Sequence, residues 1–152
     1  MNFYNFLKNR AIEEKIEKIV VGAIITNPKN QILLVKRKMD DFMGGIYEIP
    51  SGNLEEGESI YETLVRETKE ETNLDIKEVK TYINQFDYQS KSGKKCRQFN
   101  FEVGVASGEI ILTEHDLYKW VALEEIDKEK GISQELKYGL LVYKFNKEQK
   151  NI

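Results

Sequence analysis

An acidic stretch at residues 52–74 constrains the chain most, because so many like charges must lie at a solvated surface or around a cation. It reads GNLEEGESIYETLVRETKEETNL. Ser59 followed by Glu62 matches a capping box, which predicts a helix that begins near Ile60. Asn73 tolerates the left-handed conformation and is expected to close that helix. The stretch therefore predicts an acidic loop that leads into one short helix.

Three carboxylates crowd one edge of that helix. At about 100° per residue, Glu67, Glu70 and Glu71 fall within an arc of about 100°. Like charges at this spacing repel each other and destabilise a helix. Clustered glutamate oxygens suit Mg²⁺ or Mn²⁺ better than zinc, and the sequence has no His and Cys set with zinc spacing. From the residues alone, a cation site and a solvated acidic face both remain open.

Composition limits the function classes. The 152 residues are enough for one domain with a sizeable core, and 40% hydrophobic and 32% charged content suits a soluble globular protein. A formal net charge of −3 gives no bulk electrostatic case for nucleic acid or an anionic membrane as a partner. The apolar runs are too short to span a bilayer, and the N-terminal residues do not have the pattern of a secretion signal. Because Cys96 is the only cysteine, no intrachain disulfide can form, and we expect a cytoplasmic protein.

Hydrophobic periodicity predicts a mixture of strands and helices. Residues 18–26 and 31–38 form a strand–turn–strand pattern that predicts a hairpin. Alternation at residues 97–106 predicts a half-buried strand, and Ser51 and Gly52 are expected to form a turn. Helices are predicted at residues 2–18 and 133–145, and further strands at residues 46–50, 75–86, 109–112 and 120–123.

The acidic stretch resembles the Nudix box, whose pattern is G-x5-E-x7-R-E-U-x-E-E-x-G-U, with U apolar. The positions in register are Gly52, Glu58, Arg66, Glu67, Glu70, Glu71 and Leu74. Thr68 replaces the usual aliphatic residue, and Asn73 replaces the usual last glycine. Neither departure removes a candidate ligand.

The resemblance implies an α/β fold, specifically a Nudix-like α/β/α sandwich with a mixed β-sheet between helices. It implies a single domain over residues 1–152. Within it, residues 1–18 would form an N-terminal helical extension and residues 146–152 a frayed tail. A homodimer is common in the family, and the N-terminal helix offers an element through which it would form.

The resemblance also implies metal ligands, with Mg²⁺ as the cofactor and Mn²⁺ as an alternative. Glu67, Glu70 and Glu71 would bind the ion together with the backbone carbonyl of Ser51. Glu58 would either reach the water shell of the metal or brace the neighbouring arginine.

Catalytic roles carry over in the same way. Arg66 would orient a box glutamate through a bidentate ion pair, and Glu70 would act at the reacting centre. A further glutamate outside the box would serve as ligand or general base, and Glu114 is the first choice for it. Glu102 and Glu124 are the weaker choices, and an exposed loop charge is an equally open interpretation of Glu114.

The implied reaction is the hydrolysis of a phosphoanhydride in a nucleoside diphosphate linked to another moiety, by metal-activated water. The expected partner is therefore a small-molecule nucleotide. Arg37 is expected to contact phosphate, and Phe42 and Tyr47 to contact the base, although a solvated edge or a core role is open for each. The other aromatic residues considered for stacking are Phe86, Tyr88 and Trp120.

A nucleoside triphosphate, modified or not, is the leading substrate class, followed by dinucleoside polyphosphates and nucleotide sugars. The family's ADP-ribose branch often has a proline after the box, whereas Pro28 and Pro50 both precede it here. RNA-end decapping shares the chemistry, but the pI near 5.4 offers no general support for an RNA groove. A non-catalytic nucleotide sensor is the alternative from a different class, and such domains usually lose box glutamates.

Overall fold

Strands and helices follow one another in α/β order within residues 2–41 and 43–150, which the computed structural model describes. In chain order they are α1 (Phe3–Glu13), β1 (Lys18–Ile25), β2 (Gln31–Arg37), β3 (Tyr47–Glu48), β4 (Ser51–Asn53), α2 (Ile60–Thr72), β5 (Ile76–Gln89), β6 (Lys95–Val105), β7 (His115–Ala122), a 3₁₀ helix (Leu123–Lys128) and α3 (Gln134–Lys150).

The described strands form two sheets. The larger sheet has the order β4-β1-β6-β5 and is mixed, because β1 runs parallel to β6 but antiparallel to β4. The smaller sheet, β3-β2-β7, is antiparallel. One core cluster joins α1 and α2 to the larger sheet through residues such as Leu7, Leu64 and Phe101. A second cluster joins α3 to both sheets. The predicted α/β class, with a mixed sheet between helices, is confirmed.

The predicted hairpin of β1 and β2 is wrong. The two strands belong to different sheets and share only an isolated bridge between Thr26 and Ile32. The reason is that β4 and β6 already occupy both edges of β1, so β2 pairs with β3 and β7 instead. The turn between them was predicted correctly, and the Asn27 side chain accepts hydrogen bonds from the backbone N–H groups of Lys29 and Gln31.

Other local predictions also change with sheet position. Ser51 and Gly52 lie in β4 rather than in a turn, because they pair with β1. β6 is buried on both faces, not one, because the core beside α1 and α2 covers Phe99 and Phe101, and α3 covers Glu102 on the other face. β7 begins at His115, earlier than predicted, because His115 still pairs with Arg37 of β2. Residues 109–112 form no strand.

The first and last helices differ from their predicted bounds. α1 lies within the predicted helix at residues 2–18 and buries Leu7 and Ala11, while Phe3 and Phe6 stay half exposed. α3 continues past its predicted end to Lys150, so the described part of the expected frayed tail is helical.

Candidate functional site

The ends of α2 position the acidic residues. The backbone N–H of Glu62 donates to Ser59 Oγ and that of Ser59 donates to Glu62 Oε1, each at 3.0 Å, so the capping box forms as predicted. Asn73 closes the helix in the left-handed conformation, with φ 68°. These local signals place Glu67, Glu70 and the residues around them on the C-terminal half of the helix.

Arg66 gathers the carboxylates around one guanidinium. Its Nε and Nη2 donate to the two carboxylate oxygens of Glu58 at 2.7 and 2.9 Å, a bidentate pair. Its Nη1 donates to Glu67 at 2.8 Å and to Glu70 at 3.2 Å, and Nη2 also donates to the Asn53 carbonyl at 2.9 Å. The hydrogen bonds from Arg66 lower the pKa of Glu58 to about 2. Arg66 thus ties the acidic loop, β4 and α2 together.

The absence of a side chain at Gly52 lets α2 lie close to β4. A Cβ at this position would overlap with the carboxylate of Glu67. One residue earlier, the backbone N–H of Ser51 donates to Glu71 Oε2 at 3.1 Å. The glycine of the acidic stretch therefore leaves the space that the Glu67 carboxylate occupies against β4.

Negative charge at this contact is not fully compensated. Burial, together with the nearby charges of Glu67, Glu48 and Glu114, raises the pKa of Glu71 to about 9, although the hydrogen bond from Ser51 opposes the shift. Burial also raises the pKa of Glu67, although Arg66 opposes the shift. A cation beside these oxygens would relieve both effects.

We call Glu48, Glu58, Glu67, Glu70 and Glu71 the acidic cluster. Glu48 is the one member that was not predicted from the sequence. It lies on β3, and its Oε2 is 2.7 Å from His115 Nε2, while Arg37 Nη1 lies 3.2 Å from its Oε1. Its charge contributes to the raised pKa of Glu71. The available signal was an acidic residue on a strand that leads directly into the acidic stretch.

Of the glutamates considered outside the stretch, Glu114 lies nearest to the cluster. It is exposed just before β7, and its charge raises the pKa values of Glu67 and Glu71. The neighbouring Thr113 hydroxyl donates to the Glu70 carbonyl at 3.0 Å.

The weaker alternatives lie elsewhere. Glu102 is buried and accepts a hydrogen bond from the Tyr143 hydroxyl at 2.8 Å, beside Lys147. It lines a larger cavity of about 310 Å³ next to the end of α3. Glu124 is exposed on the 3₁₀ helix.

A small cleft adjoins the acidic cluster. Its volume is about 80 Å³, and its lining includes Tyr47, Glu48, Ser51, Phe86 and Gln98. A water molecule needs on the order of 10–15 Å³, so the cleft has room for several waters or for one planar group. Ser51 lines the cleft and its backbone N–H also donates to Glu71, so the cleft lies next to the Glu71 carboxylate.

The predicted substrate residues fare differently. Tyr47 lines the cleft, and Lys119 Nζ lies 4.1 Å from its ring centroid. Arg37, at the end of β2, forms ion pairs with Glu48 at 3.2 Å and with Asp41 at 3.3 Å. Phe42 lies outside the described residues, so its predicted role stays a prediction.

The donor set suits a hard divalent cation in chemistry and charge. No group of three or more His, Cys, Asp or Glu side chains in residues 2–41 and 43–150 already stands in metal-binding geometry. Arg66 donates hydrogen bonds to oxygens of Glu58, Glu67 and Glu70. A Mg²⁺ ion keeps several waters and needs only one or two carboxylates with substrate phosphates, so the residues present fit it without a complete cage.

Comparison with known proteins decides the family. The NUDIX domain family matches residues 17–140, which is most of the chain. The chain belongs to the NUDIX domain family. The match includes the acidic stretch, both sheets and the start of α3, so the resemblance carried by residues 52–74 is confirmed.

Named relatives lie within this Nudix family. An 8-oxo-dGTP diphosphatase from Buchnera aphidicola is 30% identical over 113 residues, covering 74% of this chain and 82% of the relative. An ADP-ribose pyrophosphatase from Methanocaldococcus jannaschii is 45% identical over 65 residues, covering 43% of this chain and 37% of the relative. The crystal structure of a MutT protein from Methanosarcina mazei Go1 superposes with a TM-score of 0.76 at 27% identity, covering 88% of this chain and 95% of that one.

Other relatives are much longer than the part that this chain matches. Matches to three Nudix hydrolases of Arabidopsis thaliana span only 21%, 40% and 37% of those proteins. Across the described ranges, none of the helices is both long and apolar enough to cross a membrane.

Proposed function

We propose that this Nudix chain is a Mg²⁺-dependent hydrolase that cleaves a phosphoanhydride in a nucleoside diphosphate linked to another moiety. One observation carries the proposal: the buried Glu71 and the partly buried Glu67 both have raised pKa values beside β4, where Ser51 bonds Glu71 and lines a cleft, and Arg66 bonds only Glu67 of the two. Such a concentration of hard oxygens destabilises the fold unless a cation or a proton offsets it. A cation bound by these carboxylates would also bind the phosphates of a nucleotide substrate.

Each residue then has a separate role. Glu67, Glu70, Glu71 and the carbonyl of Ser51 would hold the ion, which neutralises phosphate charge and lowers the pKa of the attacking water. Of the two roles left open for Glu58, the bidentate pair supports bracing of Arg66.

The general base is a separate proposal. Glu114 is supported by its electrostatic proximity to Glu67 and Glu71. Its exposure leaves it free to take the proton of the attacking water.

For the substrate, we propose a nucleoside triphosphate, including oxidised forms. The support is the diphosphatase relative, which acts on 8-oxo-dGTP by name and whose length this chain mostly covers. ADP-ribose is the second candidate, because a relative named for it matches the shorter central stretch at higher identity.

A substrate panel tests this proposal. The chain is incubated with Mg²⁺ and each ordinary nucleoside triphosphate, 8-oxo-dGTP, ADP-ribose, a dinucleoside tetraphosphate and a nucleotide sugar, and the products are identified by chromatography. We expect cleavage of at least one triphosphate and loss of most activity in Glu70→Gln and in Glu71→Gln. Glu78→Gln, which changes an exposed glutamate of β5, is the matched control. Full activity in both cluster variants would contradict the proposal.

A further inference from the structure

A chain of three side-chain amides crosses β5 and β6. Gln98 Nε2 donates to Asn100 Oδ1 at 2.8 Å, and Asn100 Nδ2 donates to Asn84 Oδ1 at 3.0 Å. We call Gln98, Asn100 and Asn84 the amide relay. It lies on the face of β6 opposite Phe99 and Phe101, which pack into the core beside α1 and α2.

The amide relay is costly to bury. Asn100 is fully buried, and Asn84 Nδ2 is buried without a hydrogen-bond partner among the described residues. An amide group buried without a partner costs on the order of 1–3 kcal/mol. An apolar trio of similar size would avoid this cost, so packing alone does not account for the amide relay.

Two glycines leave room for it. A Cβ at Gly22 of β1 would overlap with Asn100 Oδ1, and a Cβ at Gly139 of α3 would lie 3.0 Å from the Asn84 amide. Both neighbouring elements therefore approach the amide relay closely enough to hold its amides in place.

The hydrogen bonds orient the outer amide. Nε2 of Gln98 donates one of its two N–H groups to Asn100, so Gln98 has the acceptor Oε1 and one N–H left to offer. This oxygen is not among the buried polar atoms that lack a partner, and Gln98 lines the cleft beside Ser51. Glu48, another acceptor in the lining, is engaged by Arg37 and His115.

An aromatic ring lies next to this acceptor. Phe86 of β5 is paired directly with Gln98 of β6, so the two side chains project from the same face of the sheet. Both line the cleft. A planar ring stacked on Phe86 would bring its edge to Gln98 Oε1.

We propose that Gln98 is a specificity-determining residue that accepts a hydrogen bond from the exocyclic amino group of a nucleobase stacked on Phe86. The amide relay holds Nε2 at Asn100, which leaves Oε1 on the side of the amide group away from Asn100. Adenine, guanine and cytosine carry such an amino group, whereas purine, hypoxanthine and uracil do not. The proposal rests on the proposed function only in taking a nucleotide as the ligand.

Binding of uncleaved nucleotides tests the proposal without turnover. Calorimetric titration in Mg²⁺ would compare the α,β-methylene triphosphates of adenosine and purine riboside, of guanosine and inosine, and of cytidine and uridine. One neutral hydrogen bond corresponds to about a three- to tenfold difference in Kd. We expect at least one amino-bearing nucleotide to bind tighter than its partner by that factor or more.

Two variants test whether the difference in Kd depends on Gln98. Gln98→Met keeps the length of the side chain but removes the acceptor, and we expect the Kd ratio of the selective pair to fall to about one. Gln89→Met, an exposed glutamine on β5 outside the cleft lining, is the matched control and should keep the ratio. Thermal unfolding of each variant checks that the fold persists.

The outcomes separate this inference from the proposed function. Selective binding with no hydrolysis of any panel compound would contradict the function and leave the inference standing. Hydrolysis without selectivity within any pair, or a ratio unchanged in Gln98→Met, would overturn the inference. Because the wild-type pairs are informative by themselves, a poorly folded variant does not remove the test, and failure of all six analogues to bind would also overturn it.

Discussion

The acidic cluster and the amide relay reach the same cleft, through Ser51 and Gln98, but they differ in how their polarity is satisfied. In the acidic cluster, burial and neighbouring carboxylates raise the pKa values of Glu67 and Glu71, so a bound cation would stabilise it. The amide relay is neutral and its internal hydrogen bonds set its direction. We therefore propose chemistry for the region with uncompensated charge and recognition for the region of oriented neutral groups.

The largest expected effect comes from a substitution in the acidic cluster. Glu67→Gln removes a proposed metal ligand, and we expect kcat to fall by at least about 100-fold, beyond the range for residues that only support ligands. Steady-state rates on the nucleotide that the panel selects would show it. Gln98→Met should instead change the ratio between substrates with little loss of kcat. Equal kcat losses in both variants would erase the distinction between the two regions.

Arg66→Lys should produce the next largest effect. A lysine cannot reproduce the bidentate pair with Glu58 while also bonding Glu67, so the glutamates lose their orientation. We expect activity to fall by about 10–100-fold.

Arg97→Lys is the matched control for that change, because Arg97 makes a bidentate pair with Asp87 at 2.7 and 2.9 Å and also bonds Glu14. None of these partners belongs to the acidic cluster, so Arg97→Lys should lower stability but leave turnover unchanged. Similar activity of the two variants would mean that the orientation of the cluster does not matter.

Gly52→Ala tests the close approach of α2 and β4. The added methyl would displace the Glu67 carboxylate, and we expect roughly a tenfold loss of activity with the fold retained. Gly108→Ala is the control, since its new Cβ would meet only Leu74 at an ordinary 3.5 Å. Rates and melting temperatures of both variants check this, and an unaltered rate in Gly52→Ala would contradict the proposed packing role.

The smallest effect concerns stability without metal. Because burial raises the pKa of Glu71 to about 9, folding without metal at pH 7 requires this carboxyl to take up a proton. Glu71→Gln removes that cost, so we expect the metal-free protein to melt higher at pH 7, by roughly 2–4 °C for each kcal/mol recovered. Glu58→Gln should lower the melting temperature, because it breaks the pair that Arg66 stabilises. Scanning calorimetry in chelator measures both, and a lower melting temperature in Glu71→Gln would show that its charge is already compensated.

Local features were predictable from the sequence because their causes are local. The capping box at Ser59, the left-handed Asn73 and the spacing of Arg66 from its glutamates depend only on neighbouring turns of one helix. The α/β class and the acidic cluster on α2 followed from these patterns and from the family resemblance.

What failed depends on which strands become neighbours. β1 and β2 read as a hairpin, but β4 and β6 take both edges of β1. Glu48 was missed because its contact with His115, 67 positions away in sequence, forms only when β3 and β7 flank β2. The amide relay escaped notice because each amide taken alone is an ordinary strand residue.

Manganese binding, followed by electron paramagnetic resonance, tests the central claim that the acidic cluster is a divalent-metal site. Mn²⁺ would be titrated into the wild type and Glu67→Gln, without any nucleotide, and free Mn²⁺ would be measured. We expect the wild type to bind the ion and Glu67→Gln to bind it at least about tenfold more weakly. Equal affinity in the two proteins, or no binding to either, would contradict the metal site itself.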